Sequence, residues 1–124
     1  MDSKIKSFTD LIAWQEGHVL VLKIYSATES FPQKEQFALT SQLRRAVVSI
    51  TSNIAEGFSR NSLKEKIQFY SIALGSLTEV QNQLLIAKDI KYLQNSLFDN
   101  IDRQTVLVSK VLNGLIKSIK NITT

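Results

Sequence analysis

Residues 39–89 read LTSQLRRAVVSITSNIAEGFSRNSLKEKIQFYSIALGSLTEVQNQLLIAKD, with no proline and with apolar side chains recurring every three or four residues. That spacing places one apolar stripe along an α-helix. In the middle of this sequence, Ser62-Leu63-Lys64-Glu65 matches the S-x-x-E capping box, in which the serine side chain accepts a hydrogen bond from a backbone N–H of the first turn. The capping box therefore divides the sequence into two helices, predicted over about 36–58 and 63–89.

The same periodicity predicts one further helix on each side. Pro32 is the only proline of the chain and ends a first helix of about 10–30, because proline cannot continue a helix. A fourth helix is predicted over about 96–120. Short connections between long helices make neighbours run antiparallel. The sequence therefore predicts an all-α fold, a single domain over 1–124 that forms an up-down-up-down antiparallel four-helix bundle.

The composition excludes several classes of function. The chain has no cysteine, which rules out disulfides, thiolate metal sites and thiol catalysis. The di-metal sites of ferritin-like bundles require two histidines, whereas His18 is the only one here, and we interpret it as a packed residue. Gly57, Gly75 and Gly114 are isolated and form no phosphate-binding loop, and Gly75 is interpreted as a close approach of two helices. We predict no catalytic residue, metal, cofactor or small-molecule substrate, and hence no enzyme.

The expected cellular location and the net charge constrain the function less closely. No apolar run approaches the ~20 residues that span a bilayer, and no secretory signal is visible, so we expect a soluble, cytoplasmic protein without a membrane partner. The formal charge of +4 is a mild basic bias, typical of a solvated surface. It also leaves RNA or DNA open as a partner. The residues predicted for weak nucleic-acid contact are Arg44, Arg60, Lys64, Arg103, Lys110 and Lys117.

The first and third helices carry more apolar surface than one bundle needs. The first has two apolar stripes, and the third has isoleucines away from its main stripe. A helix that is apolar on two sides is either deeply buried or lies at a subunit interface. We favour self-association, although a wide core that uses both stripes is the alternative. The predicted interface residues are Ala13, Leu20, Ile24, Ile72 and Ile86.

The second helix carries a narrow polar strip beside its apolar stripe. Partly buried polar groups at a helix seam require hydrogen-bond partners, and the third helix offers several. We predict a structural network in which Arg45, Asn53 and Glu56 pair with Glu79 and Gln83, and a binding site is the alternative interpretation. The full predicted network is Gln42, Arg45, Asn53, Glu56, Glu79 and Gln83.

Several segments, taken together and in order, resemble a known family. They are Leu39-Thr40-Ser41-Gln42-Leu43-Arg44-Arg45-Ala46, Ser49-Ile50, Ser52-Asn53-Ile54-Ala55-Glu56-Gly57, Ala73-Leu74-Gly75-Ser76-Leu77, Glu79, Gln83-Leu84 and Ala87, with Asp10-Leu11 and Trp14-Gln15 before them. This pattern resembles the four-helix-bundle family named for proteins encoded in intervening sequences of 23S ribosomal RNA. Thr51 departs from it, since the family often places proline there.

The resemblance implies an antiparallel bundle that assembles into a ring, commonly a pentamer, with no defined biochemical role. Two hypotheses follow for this chain. The first is a non-enzymatic homo-oligomeric scaffold, which accounts for the surplus apolar surface. The alternative is an accessory protein that binds ribosomal RNA, suggested by the basic balance and by the genomic association that the family's name expresses.

Overall fold

The computed structural model describes residues 5–123, in which the secondary structure is helical throughout. Two short 3-10 helices, Phe8–Asp10 and Gln33–Glu35, precede α1 and α2. The four α-helices are α1 (Ile12–Thr28), α2 (Leu39–Ser59), α3 (Leu63–Asp89) and α4 (Asn95–Thr123). The predicted all-α four-helix class is confirmed.

The starts of α1 and α2 differ from the predicted bounds because each is preceded by its own 3-10 helix. Asp10 accepts hydrogen bonds from the backbone N–H groups of Lys6 and Ser7, at 2.9 and 3.0 Å. These two bonds hold the pKa of the Asp10 carboxyl below its ordinary value. At α3, the hydroxyl of Ser62 accepts from the backbone N–H of Glu65 at 3.0 Å, which fixes the start that the sequence predicts.

Neighbouring helices are antiparallel, because residues that meet across each seam run in opposite numerical order. The pairs are Ser49 with Ser76 and Gln42 with Gln83 across α2–α3, Glu16 with Gln104 and Lys23 with Asn100 across α1–α4, and Gly17 with Thr51 and Thr28 with Arg44 across α1–α2. Within the described chain, α1 packs on α2 and α4, and α3 packs on α2 and α4. The bundle is therefore a square in which the α1–α4 edge lies opposite the α2–α3 edge.

One apolar core runs along the middle of this square. From α1 it takes Leu20 and Ile24, which are fully buried, together with Ala13, Gly17 and Ala27. The prediction that Ala13, Leu20 and Ile24 lie at a subunit surface is therefore wrong, because this stripe is the one that faces the bundle. Surplus apolar surface is nevertheless present, on the outward side of α1.

Across residues 5–123, no helix is both long enough and apolar enough to cross a bilayer.

Two glycines mark the close approaches between helices. A Cβ added at Gly57 would lie 2.7 Å from Cε1 of Tyr70, and one added at Gly17 would lie 3.0 Å from Cγ2 of Thr51. Gly75 has nothing within 4 Å of such a Cβ, so its interpretation as a close approach is wrong. The position lies on the exposed side of α3, where the bundle has no neighbouring helix.

Candidate functional site

The seam between α2 and α3 is polar on its outer side. The hydroxyls of Ser49 and Ser76 lie 2.9 Å apart, and the side-chain amide of Gln83 donates to that of Gln42 at 3.5 Å. The first contact joins the helices half-way along their length, and the second joins the first turn of α2 to the last third of α3. The sequence thus placed the polar strip on the correct side of α2, since it faces α3 as expected.

The partners within this strip differ from the predicted ones. Asn53 donates to the backbone carbonyl and hydroxyl of Ser49 in its own helix, at 2.8 and 3.1 Å. Glu56 pairs with Arg60 one turn later, at 3.1 Å. In the part of the chain that the structure describes, the side chains of Arg45 and Glu79 have neither a hydrogen bond nor an ion pair. The predicted pairing of Arg45, Asn53 and Glu56 with Glu79 and Gln83 is therefore wrong. Asn53 and Glu56 find partners one turn away, and Gln83 pairs with Gln42 instead.

An open cleft on this seam contains side chains that lack a hydrogen-bond or ion-pair partner among the described residues. Its walls include Phe37, Arg45 and Glu79. Gln83, which bonds to Gln42 in the wall of this cleft, is only 5% exposed, and its Oε1 has no hydrogen-bond donor among the described residues. A buried acceptor without a donor costs free energy, so the α2–α3 edge holds one acceptor whose hydrogen bond is not made within the described chain.

Phe37 is the most exposed large apolar side chain among the described residues, at 90%. It follows the 3-10 helix Gln33–Glu35, in which Glu35 accepts a 2.8 Å hydrogen bond from the hydroxyl of Tyr92. That bond to a carboxylate raises the pKa of Tyr92. The segment that presents Phe37 is thereby anchored to the connection between α3 and α4. We call the surface formed by Phe37, Arg45, Glu79, Ile72 and Ile86 the seam face.

Both predicted interface residues on α3 belong to the seam face. Ile72 and Ile86 are exposed, in contrast to the three predicted on α1. Their spacing puts them on the side of α3 that continues outward from the seam with α2. This surface therefore combines exposed apolar side chains with a cleft that contains both charge signs.

The opposite edge of the bundle carries an apolar groove between α1 and α4. Val19, Leu22 and Leu97 line it, with the buried Ile101 in contact with it as well. Leu22 is 57% exposed although it sits in the middle of α1. Lys23 also lines the groove, and its ammonium donates to the side-chain oxygen of Asn100 at 2.5 Å. We call this surface the groove face.

The sequence analysis did not predict Phe37 or most of the groove face as candidate functional residues. Phe37 stands alone between Pro32 and the start of α2 and belongs to no stripe, so periodicity carries no signal for it. The groove is formed by residues of α1 and α4, and the periodicity of one helix does not show which other helix packs beside it. The second apolar stripe of α1, which includes Leu22, was the one available signal.

The outer side of α1 also holds an aromatic cluster. Trp14 contacts Phe8 edge-on at 5.5 Å and stacks on the imidazole of His18 at 4.8 Å. His18 is exposed, so its interpretation as a packed residue of the apolar stripe is wrong. Its ring is held by stacking on an indole at the surface.

The predicted nucleic-acid residues fall into two groups. Arg44 donates to the hydroxyl of Thr28 at 2.8 Å and covers the ring of Tyr25, while Arg60 pairs with Glu56 and covers the ring of Phe69. These two arginines are engaged by neighbouring side chains of the bundle, although both stay partly exposed. The other four side chains are exposed, and they are Lys64, Arg103, Lys110 and Lys117.

Residues 5–123 contain no group of three acidic or histidine side chains placed to hold a metal ion. The cleft, with Arg45 and Glu79 in its walls, and the groove are both open surfaces.

Comparison with known proteins agrees with this architecture. The profile of the family described as 23S rRNA-intervening sequence protein matches residues 9–114. A crystal structure of a protein of unknown function, from the S23 ribosomal protein family of Bacteroides thetaiotaomicron VPI-5482, superposes with a TM-score of 0.78. The two chains share 20% sequence identity over 86% of this chain and 96% of the other, which shows a common fold. No curated protein matches the chain.

Proposed function

Because this chain belongs to the 23S rRNA-intervening sequence protein family, whose profile covers most of its length, we propose that it acts as a non-enzymatic scaffold that assembles with further copies of itself. Neither the family's description nor that of the similar crystal structure names a catalytic activity. A cytoplasmic ring is the expected form, with five copies as the size that the resemblance implies. The molecular role is then to hold a defined assembly rather than to transform a substrate.

The observation that carries this proposal is the presence of two unlike apolar surfaces on opposite edges of one bundle. The seam face exposes Phe37, Ile72 and Ile86, and the groove face exposes Val19 and Leu22. Scattered single apolar residues on a surface need no explanation, but contiguous ones typically mark an interaction site. Two different surfaces on one subunit suit a head-to-tail contact, which closes into a ring when the rotation between copies permits.

The test is the mass of the chain in solution. At tens of micromolar, light scattering coupled to size exclusion should give a multiple of the 14.0 kDa subunit mass. Ile86→Asp should lower that mass, because it places a charge on an exposed apolar surface that the assembly buries. Val106→Asp is the matched control, since Val106 is exposed but lies on the α3 side of α4, away from both faces. A wild-type chain that remains a folded monomer contradicts the proposal.

A second candidate function is binding to ribosomal RNA. It is supported by Arg103, Lys110 and Lys117, which recur every seven residues on the outer side of α4 and are exposed without ion pairs in the described chain. Repeated around a ring, such a row becomes multivalent, and its affinity should fall steeply with salt. The triple reversal to glutamate should abolish binding of a ribosomal RNA fragment at low salt. Wild-type protein that binds no such fragment at low salt removes this candidate.

A further inference from the structure

We infer that Phe37 of one copy inserts into the α1–α4 groove of the next copy, and that Glu79 of the first copy meets Lys23 of the second across the same contact. This inference rests on the proposed self-association and names the residues that would make it. It describes a knob and a hole on opposite edges of one subunit. Each copy would then give its knob to one neighbour and its hole to the other.

Phe37 has the features expected of a knob. Its side chain is 90% exposed, whereas an aromatic ring in a soluble chain is normally covered at least in part. The segment before it is fixed by the hydrogen bond between Glu35 and Tyr92, and Phe31 packs against the ring of Tyr92 at 5.4 Å. An exposed ring on an anchored segment loses little conformational freedom on binding, which favours its use at an interface.

The groove has the features expected of the matching hole. Its side walls are aliphatic, with Leu22 and Val19 on α1 and Leu97 on α4. Ala27, which is small and buried, widens the groove near the end of α1. An aliphatic pocket with a small residue at its base suits a planar ring, because the ring can reach the base without displacing the walls.

The heights of the two features along the bundle agree. A rotation about an axis parallel to the helices leaves the height of every residue unchanged, so a knob and a hole that close a ring must lie at the same level. Phe37 lies just before α2, at the end of the bundle where α1 finishes. The groove includes Ser26 and Ser30 near the end of α1 and Leu97 near the start of α4, which is the same end.

This condition rejects the other apolar pocket on the α1–α4 edge. That pocket is formed by Ile12 and Ala13 at the start of α1 and by Leu115 in the last part of α4. It therefore lies at the opposite end of the bundle from Phe37. Of these two pockets of the described chain, the groove face is the one that has both the correct edge and the correct level.

The charges agree as well. Glu79 lies between Ser76 and Gln83, which meet Ser49 and Gln42 of α2, so its level is that of about residue 46. On α1, Gly17 meets Thr51 and Thr28 meets Arg44, which places Lys23 between them at about the same level. In the described chain Glu79 has no ion pair, and Lys23 bonds only the neutral Asn100. The two opposite charges face outward on opposite edges, as complementary surfaces require.

A head-to-tail contact has a signature that distinguishes it from a symmetric one. Phe37→Asp removes the knob and leaves the hole, and Leu22→Asp damages the hole and leaves the knob. Each variant alone should be a monomer of 14.0 kDa. Mixed at equal concentration, they retain one intact contact between them, so the mixture should stop at twice that mass. Both substituted side chains are exposed, so both variants should keep the wild-type helical circular dichroism.

The outcomes separate this inference from the proposed function. A monomeric wild-type chain removes both. If the wild type assembles while Phe37→Asp keeps the wild-type mass, the proposed function stands and the knob is refuted. A mixture of the two variants that remains monomeric also refutes the head-to-tail contact. Val106→Asp, on neither face, should assemble as the wild type does.

Cross-linking gives a second measurement that leaves Phe37, Leu22 and Leu97 in place. The chain contains no cysteine, so Glu79→Cys combined with Lys23→Cys introduces the only two thiols. These positions lie on α3 and α1, which do not pack on each other in the described chain, so a disulfide, which needs Cβ atoms about 4 Å apart, should not form within one subunit. Mild oxidation should yield covalent multimers, whereas a product that remains monomeric overturns the inference.

Charge reversal tests the second contact. Glu79→Lys or Lys23→Glu alone should raise the dissociation constant between copies by roughly twofold to fivefold, the range of a partly exposed ion pair. The double variant, which restores opposite charges in swapped positions, should return to within about twofold of wild type. A double variant as weak as the sum of the two single variants refutes the Glu79–Lys23 contact.

Discussion

The close approach at Gly57 makes a sharp prediction about stability. A Cβ added there would lie 2.7 Å from Cε1 of Tyr70 and 3.0 Å from Cβ of Phe69, whereas ordinary contacts are 3.4 to 4 Å. Tyr70 is itself almost completely buried, so its ring has little room to retreat. Overpacking of this kind costs about 1–3 kcal/mol. Part of that cost is offset because alanine favours a helix more than glycine does, although less so in the last turn of α2.

Gly75→Ala is the matched control. Its Cβ would have nothing within 4 Å, and the position lies in the middle of α3. The substitution should therefore stabilise the chain by about 0.5–1 kcal/mol through helix propensity alone. The same chemical change should thus destabilise at Gly57 and stabilise at Gly75. The gap in the free energy of unfolding between the two variants should be about 1–3 kcal/mol.

Urea unfolding followed by far-UV circular dichroism measures this gap. With a slope of about 2 kcal/mol per molar urea, a gap of about 2 kcal/mol separates the two midpoints by roughly 1 M. All variants are compared at one protein concentration, because self-association adds concentration-dependent stability. If Gly57→Ala proves as stable as Gly75→Ala, then α2 and α3 do not approach at Tyr70 as described, and the packing argument fails.

Three further predictions follow from the described contacts. Leu20→Ala should lower the free energy of unfolding by about 2–5 kcal/mol in urea titrations. Leu22→Ala should change that free energy by at most about 0.5 kcal/mol, while lowering the mass in solution. Equal losses of stability in the two variants would contradict the assignment of the two stripes. Ser62→Ala should cost about 0.5–2 kcal/mol by removing the N-cap of α3, and Ser62→Thr should recover most of it. The pKa of Asp10 is lowered by its two backbone hydrogen bonds, so its stabilising effect is present above pH 3.8 and lost as the pH falls through the lower folded value. Fluorescence of Trp14, the only tryptophan, should change in that acid range, and the change should be absent in Asp10→Asn.

The fold could be predicted from the sequence because local signals and periodicity agree over most of the chain. The bounds of α3 match the prediction at both ends, because Ser62 is a strong local start signal and the apolar face continues without a break to Asp89. The start of α2, predicted at about 36 with Leu39 as an alternative, lies at Leu39, because Gln33–Glu35 forms a separate 3-10 helix before it. Such a short turn is a matter of local hydrogen bonding, for which the sequence has no periodic pattern.

The polar strip shows that the sequence predicts the side of the helix on which a residue lies but not its hydrogen-bond partner. Helical spacing correctly placed the polar strip that includes Gln42 toward α3, because position on a helix is fixed by 3.6 residues per turn. It did not determine partners, since Asn53 and Glu56 found acceptors or donors one turn away in their own helix. Contacts within one helix need no particular packing of the next, so a polar residue with a partner at i±4 often takes it.

The wrong assignment in α1 has a physical cause that is visible in the sequence itself. Both stripes of α1 are apolar, and the inward one contains Ala13, Gly17 and Ala27, while the outward one contains Trp14 and Leu22. Small residues face the core here because they allow α2 to approach closely, as Gly17 does against Thr51. Leu20 and Ile24 of the same stripe fill the core, whereas Leu22 of the other stripe stays exposed. When two apolar stripes compete, the one that carries small residues at a close helix approach is therefore expected to face the nearest helix, and the other stripe becomes the candidate interface.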